Sequence, residues 1–394
     1  LVAMDMISNK TAIVGIGISE FSKDSGKTEL RMASEVIREA LDDAGLVPPD
    51  IDGIVVHTDD ASDEIAAVRT MGMGNLTFFG QCRWDGAPCG MVMRAAIGVA
   101  AGMANYVLVY RAVNGSSKRR MGTPSRDIAQ MSTSALLQWT FHAPFGQISA
   151  AGAVAMITSR YLYEYGIDPD KFGWIPVVCR GHGSKNPRGM YYGQPIAIED
   201  YRRSPMFTDP LRLLDCHENS DAAAALIITT LERAKDLRQK PVRILAVAQS
   251  EVAETEEKNC FYSPRLSELP EIVRVGERLF AMSGLAPRHI RSIQLDDSYA
   301  PLVPMQLEAL GFCAPGEGAA FCEGGDRIRM GGEIPLNTSG GSLGEGYLYG
   351  LNHIIEAVRL VRGTSPVQAG PLSPVLVTTG ALGPASGLIV GDGL

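Results

Sequence analysis

Apolar positions along this chain fall into two rhythms that follow one another in turn. Thr11-Ala-Ile-Val-Gly-Ile-Gly17 is a short apolar run closed by glycines and predicts a buried strand. After it Leu30, Ala33, Ile37, Leu41 and Ala44 recur at helical spacing, with Thr28 placed to cap the helix and Gly45 to end it. Ile51 to His57 returns to strand character, so the order strand, helix, strand predicts a parallel sheet with helical crossovers. The alternation continues through a helical stretch at Ala95 to Gly102 and strands at Tyr106 to Tyr110 and Ala222 to Thr230.

The charged stretch Leu231 to Lys240 reads as an exposed helix and connection, and there the pattern restarts. Strands are predicted at Val242 to Ala248, Ile293 to Asp297, Val375 to Thr378 and Gly387 to Val390, with helical character at Pro264 to Ala286 and Met305 to Leu310. The chain therefore reads as two βαβ-rich halves in tandem, residues 1–235 and 236–394. A proline- and aromatic-rich insertion occupies about 121–213 in the first half. Long insertions of this kind often serve as lids or binding loops.

A length of 394 residues with 45% apolar composition can fill more than one core. No apolar run is long enough to span a bilayer, and Leu1-Val-Ala-Met-Asp-Met6 lacks the layout of a secretion signal, so a cytoplasmic protein without membrane contact is expected. The net charge of -8 without a long basic run argues against nucleic acid as a partner. Lys118-Arg119-Arg120 reads as a solvated loop, with contact to a coenzyme A phosphate as the alternative. The seven cysteines are scattered without a C-x-x-C pair, so neither a disulfide framework nor a metal site is expected. Gly15-Ile16-Gly17 closes the first strand, but Glu20 stands where a dinucleotide fingerprint needs its third glycine.

The richest chemistry lies at Asn337-Thr-Ser-Gly-Gly-Ser-Leu-Gly-Glu-Gly-Tyr347-Leu-Tyr349-Gly-Leu-Asn-His353, a glycine-rich loop leading into an amphipathic helix. Further marks precede it in order. They are Asp43-Ala-Gly-Leu with Ile51-Asp-Gly-Ile-Val-Val, Asn186-Pro187, Pro210-Leu-Arg-Leu-Leu-Asp-Cys216, Asn219-Ser-Asp-Ala-Ala-Ala-Ala and Leu310-Gly-Phe-Cys-Ala-Pro-Gly-Glu317. Over nearly its whole length the chain resembles the thiolase superfamily, and within it the sterol carrier protein x type of thiolase and its lipid-transfer-protein-like aldolase relatives. The resemblance implies an α/β fold of five layers, αβαβα, made of two repeated halves and normally a homodimer.

Laid on the thiolase pattern N-x-x-G-G-x-x-x-x-G-H-P-x-G, the loop puts Gly340, Gly341, Gly346 and Gly350 on the glycines and Tyr347 on the catalytic histidine. The position of the family's nucleophilic cysteine falls at Asp85 or Gly86, neither of which can be acylated. Cys89 lies about one helical turn further on and reads as a core residue, with a reactive thiol as the alternative. Where the second thiolase cysteine belongs, the chain has Thr378 and Thr379.

With these groups replaced, the reading moves from thiolysis to retro-aldol cleavage. That reaction needs a base, an enolate-stabilising site and an acid, and no covalent intermediate. The aldolase relatives likewise carry tyrosine at the histidine position. They imply cleavage of a steroid side chain, a tertiary β-hydroxyacyl-CoA giving a ketosteroid and a short acyl-CoA such as propionyl-CoA. Tyr347 is the expected acid/base, its pKa lowered by backbone amides at a helix N-terminus, and its partner is left open among Tyr299, Asp296 and Tyr349. Gly340, Gly341, Gly346, Tyr349 and His353 are assigned to substrate binding, with a structural hydrogen-bonding role competing for His353. His217 reads as structural, and His142 as part of an aromatic roof or a dimer surface. No cofactor is expected beyond the coenzyme A of the substrate. By analogy with this branch, a small zinc-ribbon and OB-fold partner is expected in an α2β2 complex. Competing functions are a thiolase or acyltransferase using Cys89, and a non-catalytic subunit that binds lipid or acyl-CoA.

Overall fold

The computed structural model describes residues 7–58, 60, 64–83, 87–118, 133–147, 149–252, 266–367 and 370–392. Its strands are β1 (Thr11–Ile18), β2 (Gly53–His57), β3 (Phe78–Cys82), β4 (Val107–Asn114), β5 (Met206–Thr208), β6 (Leu211–Arg212), β7 (Asp221–Thr230), β8 (Val242–Ser250), β9 (Ser292–Gln294), β10 (Val375–Thr379) and β11 (Ala385–Gly391). The helices are α1 (Glu29–Ala44), α2 (Glu64–Met71), α3 (Ala87–Ala100), α4 (Thr133–His142), α5 (Ala150–Tyr165), α6 (Trp174–Gly183), α7 (Ile198–Arg203) and α8 (Leu231–Ala234) in the first part of the chain. The remainder carries α9 (Pro270–Ser283), α10 (Leu302–Ala309), α11 (Gly318–Cys322), α12 (Gly341–Gly344) and α13 (Leu351–Arg362).

Nine strands join in the order β3-β2-β4-β7-β1-β8-β11-β10-β9. The seam is short and antiparallel, with Ala12 opposite Arg243 and Ile13 opposite Val242. Outward from the seam, β1-β7-β4-β2 and β8-β11-β10-β9 repeat the same directions. The first two pairings on each side are antiparallel and the third is parallel. The copies differ at the rim. The first continues into β3, parallel to β2, whereas the second has, among the described residues, only a bridge between Ile293 and Leu336. Beyond it the Asn337 side chain takes over the ladder, accepting the Leu295 N–H at 2.8 Å and donating to the Leu295 carbonyl at 3.0 Å.

Helices fill three layers around the strands. On one outer face α1 packs on β1, β4 and β7 over a core that includes Val14, Ile37, Tyr110 and Ile227. Between the halves, α3 and α13 touch strands of both, burying Val92, Leu226, Ile354, Val358 and Leu388. On the other outer face α9 covers β8 and β11 through Ile272, Val275 and Leu279. Each fully buried aliphatic side chain of this kind contributes about 1.5–3 kcal/mol. The result is the expected αβαβα arrangement.

Local signals explain the elements that were legible. Thr28 Oγ1 accepts the Arg31 N–H, and Gly45 at φ 77° ends α1 in the left-handed conformation. The close approach of α1 to β1 also accounts for Gly15 and Gly17: a Cβ would lie 2.2 Å from the Ala40 carbonyl oxygen and 2.1 Å from that of Val36. Packing, not phosphate binding, sets that Gly-x-Gly.

Three expectations change. Helix α3 begins at Ala87, ahead of the apolar run at Ala95, because Pro88 is tolerated in a first helical turn. Strand β3 was not expected, since an edge strand buries little and its apolar signal is weak. The charged stretch after β7 is helical only over Leu231–Ala234. Among the described residues no helix is long and apolar enough to cross a membrane, and no cluster of His, Cys, Asp or Glu is arranged to hold a metal ion.

Candidate active site

The glycine-rich loop is held open by two buried carboxylates. Asp297, just past β9, accepts the Ser342 N–H at 2.8 Å and the Leu343 N–H at 3.3 Å, tying down α12. Glu345 accepts Asn186 Nδ2 at 2.7 Å, Ser339 Oγ at 2.7 Å and Asn352 Nδ2 at 3.0 Å. Burial pushes the Glu345 carboxyl up to about 7, against the lowering effect of Asn352 and Ser339. Gly346 follows at φ 147°, where a Cβ would meet the Phe21 ring at 2.4 Å. The chain can pass there only without a side chain.

Tyr347 lies ahead of α13, which starts at Leu351, so its phenol is not placed by a helix N-terminus. Instead its backbone joins the segment that enters β7. The Tyr347 N–H donates to Ser220 Oγ at 3.0 Å, and that hydroxyl donates to the Tyr347 carbonyl at 2.9 Å. The same segment is bound on its other side to the residues after β9: the His217 N–H donates to the Ser298 carbonyl at 3.0 Å, and the Ala300 N–H to the Asp215 carbonyl at 2.8 Å. Three backbone segments from both halves are thus laced together. Their side chains meet in one aromatic cluster.

His217 is the centre of that cluster. Its ring stacks on Tyr347 with centroids 3.8 Å apart and planes 27° apart, and meets the edge of Tyr299 at 5.6 Å. Nδ1 lies 2.9 Å from the Ser298 carbonyl, an acceptor only, so this nitrogen carries a proton. Tyr347 and His217 are half-buried, whereas Tyr299 is buried. Sequence reasoning took His217 as structural; its place before β7 in Cys216-His-Glu-Asn-Ser-Asp221 was the available signal.

On the far side of Tyr347, Tyr349 lies at 4.6 Å between ring centroids, its backbone at φ 57°. A left-handed tyrosine costs about 1–2 kcal/mol and persists only where its surroundings fix it. Here they do: the Arg111 guanidinium lies 4.1 Å from the Tyr349 ring centroid, and His57 stacks at 6.3 Å. Asp60 grips Arg111 bidentately, with Nη2 to Oδ1 at 2.7 Å and Nε to Oδ2 at 3.1 Å. Burial pulls the Arg111 pKa down, but Asp60 and the two tyrosine oxygens more than offset it, so the guanidinium stays charged. Neither Arg111 nor Asp60 was singled out from sequence.

The other expected residues separate from this cluster. The Asp296 carboxylate is taken by the backbone N–H groups of Ser298 at 3.0 Å and Ala381 at 2.9 Å, which fixes a turn. His353 is fully buried, with Nε2 3.2 Å from Asp297 Oδ1, and burial lowers its pKa against the pull of Asp297. Gly340 and Gly341 shape the loop around Asp297. Cys89 sits in the first turn of α3, fully buried beside Thr379 and Ser386, and burial pushes its thiol up to about 12. A thiol held protonated in this way is a poor nucleophile. Thr378 Oγ1 donates to Gln306 at 2.7 Å, and Thr379 pairs with Ser386 at 2.9 Å. Asp85 and Gly86 lie outside the described residues, as do Arg119 and Arg120 of the basic run. In the insertion, Leu137, Phe141 and Phe145 of α4 and the turn after it are exposed.

Comparison with known proteins points the same way as the geometry. Residues 253–385 match the family model for thiolase C-terminal domain-like proteins. The chain is 43% identical to the 17-hydroxy-3-oxo-4-pregnene-20-carboxyl-CoA lyase of Mycobacterium tuberculosis, over 98% of its own length and 100% of the relative. It is 44% identical to the steroid side-chain-cleaving aldolase of Thermomonospora curvata, over 98% and 99%. Among solved structures, the Ltp2-ChsH2(DUF35) aldolase superposes with a TM-score of 0.92 at 43% identity, covering 98% of each chain. Human mitochondrial 3-ketoacyl-CoA thiolase superposes at 0.67 with 13% identity over 98% and 99%, a likeness of fold alone.

Proposed function

The chain belongs to the steroid side-chain-cleaving aldolases of the thiolase fold, and from that membership we propose that it is a carbon–carbon lyase acting on a steroid CoA thioester. The substrate class is a 17-hydroxy steroid whose side chain ends in a CoA thioester, as in the name of the mycobacterial relative. Retro-aldol cleavage proceeds by loss of the tertiary hydroxyl proton to a base and scission of the bond between the carbinol carbon and the α-carbon. The released electron pair enters the thioester as an enolate, which takes a proton at the α-carbon. A ketosteroid and propionyl-CoA leave.

The observation that carries this reading is the stack of Tyr347 on His217, edged by Tyr299, with the nearby Cys89 thiol held protonated by burial. In the proposed mechanism Tyr347 takes the hydroxyl proton and Tyr299 returns one to the enolate, with His217 between them. Gly340, Gly341 and Gly346 shape the loop, Asp296 fixes the turn after β9, Tyr349 walls the substrate, and His353 lies against Asp297. Incubation with the 17-hydroxy steroid CoA thioester and mass analysis of both products tests the reading; absence of the ketosteroid or of propionyl-CoA rejects it. The non-catalytic alternative requires that Tyr347→Phe leave turnover of any assembled complex unchanged.

Association is part of the proposal. Strand β3 stands at the rim of the sheet with Phe79 61% exposed, an edge suited to pairing with a second copy as a homodimer. The DUF35 component named with the solved relative supports a partner protein here too; we propose that it is small, of zinc-ribbon and OB-fold type, and completes an α2β2 complex. The cytoplasm is the proposed location.

A further inference from the structure

Arg111 is a whole guanidinium in the interior of the protein, 1% exposed, on a strand whose other residues are almost all apolar. Asp60 takes the edge formed by Nε and Nη2. The remaining nitrogen, Nη1, is buried with no hydrogen-bond partner among the described residues. A buried donor left unmet costs about 1–3 kcal/mol, so a fold that keeps one has a use for it. The guanidinium lies over Tyr349, whose ring touches Tyr347. Asp60 holds one edge of the cation, so the unmet donor belongs to the edge that Asp60 leaves open.

We propose that Arg111 is a positioning residue for the proposed acid/base: it holds the Tyr347–Tyr349 pair and, as its cation, favours a phenolate in place of the phenol, while Asp60 aims it. This rests on the reading of Tyr347 as the base. The helix N-terminus expected to activate Tyr347 is absent, and Arg111 stands in for it from beneath. Among the described residues, these other titratable or charged groups lie around the pair. His57 lies at the end of β2, with Nδ1 3.8 Å from Asp60. Cys82 of β3 is raised by burial and lies against Arg94 of α3. His217 and Tyr299 face Tyr347 from the other side. Among the described residues, Arg111 is the cation set against the pair.

The test is an ultraviolet titration of tyrosinate in the full chain, each protein compared with its own Tyr347→Phe version so that the difference isolates one phenol. In the double variant Arg111→Met with Asp60→Asn, which leaves no buried charge unpaired, this phenol should ionise about 1–3 pH units higher than in the parent. Arg111→Lys keeps the charge and should restore most of the shift. Asp60→Asn alone, the readout if the double variant does not fold, should move ionisation lower. The pH profile of kcat for the steroid CoA thioester should follow the same order. An unchanged phenol in the double variant, or one that Arg111→Lys fails to restore, overturns the role of Arg111; so does an unmoved phenol in Asp60→Asn. Failure of the parent to cleave the thioester sinks the lyase reading instead and leaves the titration to decide on Arg111.

Discussion

The rings of His217 and Tyr347 stack with centroids 3.8 Å apart although the two residues enter the site from different halves of the fold. The contact depends on Ser220, whose hydroxyl ties both backbone groups of Tyr347 to the segment carrying His217. Removing the phenol oxygen should therefore separate chemistry from packing. Tyr347→Phe keeps the stack and should lower carbon–carbon cleavage by roughly 10²–10⁴-fold, the usual worth of a positioned acid/base, with thermal stability nearly unchanged. Steady-state kinetics beside a melting curve measure both.

Cys89 supplies the converse prediction. A thiol that is fully buried and pushed up to about 12 is a poor nucleophile, so no acyl-enzyme is expected on it. Cys89→Ala should leave kcat within about twofold of the parent, since a small apolar residue replaces a small buried one. Intact-protein mass spectrometry during turnover should find no acyl adduct; an adduct on Cys89 would restore the thiolase reading.

Much of this site was legible because glycine spacing is a local signal. Asn337, Gly340, Gly341, Gly346 and Gly350 pointed to Tyr347 without any knowledge of its neighbours. Arg111 and Asp60 were not legible, since a single charge in the apolar strand around Arg111 looks like an interruption until the fold lays it under Tyr349. Asp296 misled for the opposite reason. Acids at a strand end suit proton transfer in sequence, yet its oxygens are claimed by two backbone amides that only tertiary structure brings near.

Glu345 gives the loop a pH signature. Its folded pKa is raised from 4.5 to about 7, so between those values the folded state holds the proton more tightly than the unfolded chain. This group's contribution to stability is therefore full below pH 4.5 and is lost as pH rises through about 7. Glu345→Gln should remove that part of the decline. Denaturant midpoints measured across the window for both proteins would show it as a flatter profile, and parallel profiles would contradict it.

Gly346→Ala should destabilise the protein by about 1–3 kcal/mol and disable cleavage, because a Cβ has no space beside Phe21 at a backbone angle that side chains avoid. Pairing it with Phe21→Ala relieves the clash but not the backbone angle. Partial recovery of stability is the expected result by chemical denaturation.

Phe79→Asp tests self-association. Like charges facing one another across a two-fold contact should weaken a homodimer by about tenfold or more, read by sedimentation at several concentrations. A mass unaffected by the change would place the interface elsewhere.

The two halves of this sheet also differ in what they can give up. A rim strand with open backbone groups is a template for pairing with another chain. In the first copy that strand survives as β3. In the second it has shrunk to the bridge at Leu336, and Asn337 imitates the missing ladder with its side chain while the backbone turns away. One rim of the sheet thus ends in a full strand, while at the other the chain leaves the ladder and passes into the glycine-rich loop that carries Tyr347.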